Sequence, residues 1–216
     1  MKQLIINADD FGYSPLFNKM ILELLAKGYV TSTSVMIESI TDNQKSQVEE
    51  LKKYEKNDLI SIGLHIDFKT VDFDIEIKRQ FNYFVEIMGF EPHHLDIHKM
   101  DHLLDGGYTA IQKFAQAKKI PCKNLSCYGN NVMDKNTITT PDSVYAASKK
   151  SFEEIKEWLS SLNEGIHSIN FHPGYYDPES KSSLNRERED DANKISKIIG
   201  ILSEYEIKLA SFKNIS

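Results

Sequence analysis

Cysteine is scarce in this chain: Cys122 and Cys127 are the only thiols in 216 residues. Two cysteines so spaced exclude a disulfide scaffold and a four-thiolate metal site, and two partly buried free thiols are expected. A basic surplus is also missing. The net charge is −6, with Lys and Arg scattered among acidic residues, so no stripe can follow a phosphate backbone and nucleic acid is not an expected partner. No apolar stretch approaches the roughly 20 residues of a membrane span. The N-terminal apolar run is broken at once by Asn7 and Asp9, unlike a targeting segment. A soluble, cytoplasmic protein with no membrane partner is the expectation. No low-complexity segment, linker or repeat divides the sequence, and its length suits one domain over 1–216 with a full core.

What is present is a set of chemistry-bearing residues placed after short apolar runs. Leu4-Ile5-Ile6 leads into Asn7-Ala8-Asp9-Asp10-Phe11-Gly12, two adjacent carboxylates entering a Gly-containing turn. Three later segments repeat the arrangement with histidine: Ile60 to His65, His94-Leu95-Asp96-Ile97-His98 with His102 beyond, and Ile169-Asn170-Phe171-His172-Pro173-Gly174. Strand ends of this kind are where α/β enzymes carry out their chemistry.

Strands are expected near 3–8, 31–37, 59–65, 93–98, 122–127, 166–171 and 206–211. Between them, Ser14-Pro15 opens a helix with Leu16, Met20, Leu24 and Leu25 on one face and Gly28 as its stop. Further helices are expected near 42–56, 72–89, 107–118, 142–162 and 185–204, with Val144, Phe152, Ile155 and Leu159 as one apolar stripe. This is an α/β pattern of about seven βα units. An open doubly wound sheet fits the pattern too, but chemistry at many strand ends favours a closed or partly closed barrel.

Neighbouring side chains on a regular strand point to opposite faces, so Asp9 and Asp10 share a site only if the strand ends there, which Gly12 allows. Adjacent acidic residues at such a turn also serve simply as helix caps. Asp10-Phe11-Gly12 matches a kinase metal motif, but no Gly-rich loop precedes it and no His-Arg-Asp loop accompanies it. His93 and His167 read as loop or surface residues, and Trp158 as core packing.

The NADDFG turn followed by Ser14, Thr31-Ser32-Thr33-Ser34, Gly63-Leu64-His65, His94-Leu95-Asp96-x-His98 and His172-Pro173-Gly174 occur in one order along most of the chain. Together they resemble the YdjC family of carbohydrate deacetylases, which includes chito-oligosaccharide deacetylases. The resemblance implies a distorted, incomplete TIM-like (β/α) barrel and removal of acetyl groups from N-acetylated sugars. It implies that Asp10, His65 and His98 hold one divalent metal ion, Zn²⁺ or Mg²⁺. A carboxylate and two imidazoles suit such an ion and leave a coordination position open. Asp9 is then the general base and His172 the general acid for the leaving amine. Asp96 is placed to orient a ligating imidazole. His102, Tyr175 and Tyr176 are expected at the saccharide, and a homodimer is plausible.

Two positions depart from the family pattern, which has a small residue where this chain has Ile97 and a histidine where it has Met100. The segment between His65 and His94 is short, which implies a more open site or a smaller substrate. Two other readings are a PHP-type metal phosphoesterase and a non-catalytic sugar-binding relative. The first is disfavoured because no His occurs in the first sixty residues.

Overall fold

A computed structural model describes residues 1–99, 106–123 and 140–215. The chain starts with strand β1 (Lys2–Phe11), helix α1 (Pro15–Ala26), β2 (Ser32–Val35), α2 (Lys45–Lys52), β3 (Ser61–Ile66), α3 (Phe73–Met88) and β4 (Leu95–Ile97). It continues with α4 (Tyr108–Lys118), β5 (Ser143–Ala146), α5 (Phe152–Ser161), β6 (Gly165–Phe171), α6 (Arg188–Ile201) and β7 (Ile207–Leu209). The sheet is parallel throughout, in the order β4-β3-β2-β1-β6-β5, with β7 also on β1.

A strand has two edges, and β6 takes one edge of β1 from Lys2 to Ala8. The other edge is shared: β7 pairs with Lys2 to Leu4 and β2 with Asn7 to Phe11. Beyond β4 the sheet is extended by a parallel bridge between Leu95 and Cys122. This curled, incomplete TIM-like α/β barrel is the expected architecture. Its central strands are buried on both faces, as parallel strands covered by helices are.

Most expected elements are found, with three corrections, and the expected strand near 122–127 lies outside the described residues beyond Lys123. In α1 the Ser14 hydroxyl accepts from the Leu16 N–H, and Gly28 (φ +69°) follows the helix end, as expected. The buried face, however, carries Phe17, Ile21, Leu24 and Leu25, while Leu16 is exposed. Val144 is not helical: Ser143-Val144-Tyr145-Ala146 pairs with β6, and the helix begins only at Phe152 with a Ser151/Glu154 capping box. His167 is no surface residue. It is buried on β6, where its ring bonds the Ser143 hydroxyl at 2.8 Å and the Asn163 carbonyl at 3.0 Å. Trp158 packs against the core and stacks on Tyr145 at 4.9 Å.

Because all strands run the same way, their C-terminal ends meet at one end of the sheet. Asp9 and Asp10 on β1, His65 on β3 and Asp96 on β4 lie there, with His98 and His172 just past β4 and β6.

Candidate metal centre and catalytic carboxylate

Asp10 has φ +73°, the left-handed region a non-glycine residue rarely adopts, and the β1–β2 register shifts between Ala8 and Phe11. This bulge brings both carboxylates to one site while the strand continues to Phe11. The strand therefore does not end at the aspartates. Gly12 (φ +98°) does follow, clamped by Asn18 and Gln44, and a Cβ there would stand 2.8 Å from the Met36 carbonyl oxygen.

The two aspartates then meet different partners. Asp10 Oδ1 lies 3.3 Å from His65 Nε2 and 3.2 Å from His98 Nδ1. Its Oδ2 accepts from Arg188 at 2.6 Å. Burial alone would raise the Asp10 carboxyl, but the imidazoles of His65 and His98, with His172 and Arg188, hold it well below the usual range. Arg188 is fully buried, passes 3.7 Å over the Phe17 ring and also bonds Ser182. Gly174 makes room for it, since a Cβ there would meet Phe17 at 2.6 Å and Arg188 Cδ at 2.9 Å.

Asp9 Oδ1 accepts from the Asn7 amide at 2.5 Å; its Oδ2 lies 3.1 Å from Lys123 Nζ and 3.7 Å from His172 Nε2. Burial, with Asp96 and Asp10 nearby, outweighs Lys123 and His65 and pushes the Asp9 carboxyl up to about 7. Asp96 accepts from Lys123 at 2.7 Å, from Ser34 at 3.0 Å and from the Ile97 N–H at 2.7 Å, and lies 3.3 Å from His65 Nδ1. Burial opposes its ionisation, yet Lys123 and His65 keep it well below the ordinary range.

His65 is 1% exposed, yet neither ring nitrogen makes a hydrogen bond among the described residues. Burial disfavours its charge, but Asp96, Asp10 and Asp9 raise it to about 10. The Asp10, His65 and His98 ligand atoms all lie within 4.8 Å of one another. A buried imidazole nitrogen that makes no hydrogen bond, 3.3 Å from a carboxylate and beside a second imidazole, fits a cation ligand.

Gly63 serves this arrangement indirectly. A Cβ at Gly63 would stand 2.3 Å from the buried His94 ring, which stacks on Phe212 at 4.0 Å. The Ser34 hydroxyl donates to Asp96, so at 3.1 Å it must accept from His94 Nε2. His94 is thus a neutral strut, and burial pushes it down to about 3.

On the opposite side, His172 Nδ1 is 2.8 Å from Ser148 Oγ, and its backbone N–H donates to Asp191 at 3.0 Å. Burial, reinforced by Arg188, Lys123 and His65 against Asp10, lowers it to about 4.

The expected residues Asp9, Asp10, His65, His98 and His172 are therefore brought together. His102 lies outside the described residues. Tyr175 donates to Glu23 on α1 at 2.6 Å, and Tyr176 is exposed beside Arg186. Sequence reasoning missed Lys123, Ser148 and Asp191, and left Arg188 without a role. Lys123 follows Lys118 and Lys119 in a mixed polar and apolar stretch, and no sequence signal singles it out. Arg188 and Asp191 stand at the helical phase of Ile195 and Ile198, the buried face of α6.

Residues 3–73 and 68–198 match the family model described as YdjC-like protein. The chain belongs to the YdjC-like family. It is 27% identical over 252 residues to a carbohydrate deacetylase of Clostridium beijerinckii, covering 99% of this chain and all of that one. It is 27% identical over 154 residues to a chitooligosaccharide deacetylase of Yersinia enterocolitica, covering 56% of this chain and 59% of that one. Among solved structures, a candidate cellobiose-phosphate cleavage protein from Enterococcus faecalis superimposes with a TM-score of 0.79 at 20% identity, covering 98% of both chains. That likeness bears on the YdjC-like fold alone.

Proposed function

We propose that this YdjC-like protein is a metal-dependent carbohydrate deacetylase that hydrolyses the acetamide of an N-acetylated amino sugar or short oligosaccharide. What supports the reading is the arrangement at β1: Asp10 faces His65, His98 and Arg188, while the adjacent Asp9 faces Lys123 and His172. The deacetylase relatives support the substrate class.

Asp10 Oδ1, His65 and His98 would hold the ion, while Arg188 keeps Asp10 Oδ2 and so directs a single oxygen inward. Zn²⁺ or Mg²⁺ bound there would supply Lewis-acid polarisation and positive charge. Asp9, near 7, is poised to take a proton from the attacking water at neutral pH. His172, held down at about 4, rests neutral and must receive a proton before it donates one; Asp9 Oδ2, 3.7 Å from Nε2, is a source. His172 then delivers that proton to the departing amine nitrogen. The exposed ring of Tyr176 is available to a sugar face.

The Lys123 ammonium sits between Asp9 and Asp96, inside the second carboxylate–histidine cluster of Asp9, His65 and Asp96. A lysine there disfavours a second ion, which weighs against a multi-metal phosphoesterase.

Acetate release from N-acetylated mono- and disaccharides, with Zn²⁺, Mg²⁺, Mn²⁺ or Co²⁺ and a chelated control, tests the reading. Metal-dependent release is expected. No release from any sugar with ion bound would reject it in favour of another substrate class or a binding role.

A further inference from the structure

We infer that Ser148, backed by Asp191, is a positioning residue that fixes the tautomer of His172 so that only Nε2 exchanges protons with the site. The inference rests on the deacetylase reading for its catalytic consequence, but its geometric part stands alone.

Ser148 follows β5 and Asp191 lies in the first turn of α6, so two separate elements converge on the histidine after β6. Ser148 Oγ is 2.6 Å from Asp191 Oδ2 and 2.8 Å from His172 Nδ1. Asp191 Oδ2 also accepts the His172 backbone N–H at 3.0 Å, and the Lys194 ammonium stands 3.5 Å from Oδ1. Donors thus face both oxygens, and the Asp191 carboxylate acts as an acceptor. A serine hydroxyl has one hydrogen, and here it is committed to Asp191. Only lone pairs remain toward His172, so Nδ1 must carry the ring hydrogen.

The consequence falls on Nε2, which faces Asp9 Oδ2 at 3.7 Å. In the neutral ring it holds the lone pair. When a proton arrives, the N–H bond forms there and the positive charge spreads over a ring whose Nδ1–H remains bonded to serine. When the amine departs, the Nε2–H bond breaks, its electron pair returns to Nε2, and a new N–H bond forms on the leaving nitrogen. The ring is restored to its starting tautomer. The reverse tautomer would present an Nε2–H that a neutral imidazole cannot usefully release, because loss would leave an imidazolate. Ser148 and Asp191 therefore make the ring ready to receive a proton before it delivers one.

The test is ¹⁵N NMR of the full chain labelled at histidine, at neutral pH, without sugar. The expected result is a His172 ring with pyrrole-type Nδ1 and pyridine-type Nε2. Ser148→Ala should lose that preference and lower kcat by about 10-fold or more with little change in KM, while Ser148→Thr, which keeps the hydroxyl, should restore both. A wild-type ring protonated at Nε2, or a Ser148→Ala variant with the Nδ1–H tautomer unchanged, would overturn the inference. The tautomer is read without turnover. An intact signature in a protein that releases no acetate would therefore condemn the deacetylase reading and leave this assignment standing.

Discussion

Asp9 and Asp10 are covalent neighbours, equally buried, and electrostatically opposite. The Asp10 half of the centre gathers Arg188, His65 and His98, which stabilise the anion. The Asp9 half gathers Lys123 and His172 but also stands near two further carboxylates, and burial prevails there. Burial is common to both halves, so it cannot assign the roles. The bulge at Asp10 and the cations placed around each oxygen do so. On the proposed reading, one half holds the ion and the other takes up and releases a proton.

The largest expected effect falls on the ion-holding half. His65→Ala should lower bound divalent ion and turnover together, with activity reduced by at least about 1,000-fold; inductively coupled plasma mass spectrometry alongside acetate release reads both. Unchanged ion content would remove His65 from the coordination set.

Asp9→Asn should reduce kcat by about 10²–10⁴-fold, because the amide keeps the shape and cannot accept a proton. Near-normal steady-state turnover would strip Asp9 of its role as base.

Lys123→Met should sharpen the contrast between the halves. The ammonium lowers the Asp9 carboxyl, so its loss raises it, and the rising acid limb of kcat/KM must move to higher pH. Below that limb each unit of displacement is about tenfold in rate. A limb that stays put or moves to lower pH would mean that another group controls it.

The last expected effect concerns stability and not turnover. His94 is held at about 3, below its ordinary 6.5, so the unfolded chain takes the proton first as pH falls. Its stabilisation is complete above about 6.5 and is lost as pH drops toward 3. His94→Gln should therefore flatten the pH dependence of urea unfolding in that window by up to about 1.4 kcal/mol per pH unit. An unaltered slope would mean that His94 is not the titrating strut.

Much of the arrangement was legible before any coordinates. The apolar runs before Asp9, His65 and His172 locate three strand ends, the His94-Leu95-Asp96-Ile97-His98 segment marks a fourth, and parallel βα order makes them converge. The same order does not reveal β5. Its four residues are short, and Val144 shares a helical phase with Phe152 and Ile155, so periodicity merges the strand into the helix behind it. Nor is the bulge visible, because the sequence shows two acidic residues but not the left-handed φ that turns one of them. Leu16 misled for a related reason: Phe17 and Ile21 define an equally regular face one position along. The supporting residues were hardest to find. Ser148 lies in a loop of ordinary polar composition, and its role depends on a partner in α6 far along the chain.

The most direct test of the divided β1 pair is the ion stoichiometry of Asp9→Asn and Asp10→Asn, purified in parallel and loaded with the same divalent metal. Asp9→Asn should retain about one ion per chain and Asp10→Asn close to none, because the former loses a proton acceptor and the latter a charged ligand. Loss of the ion from Asp9→Asn with retention in Asp10→Asn would show that the two roles are exchanged.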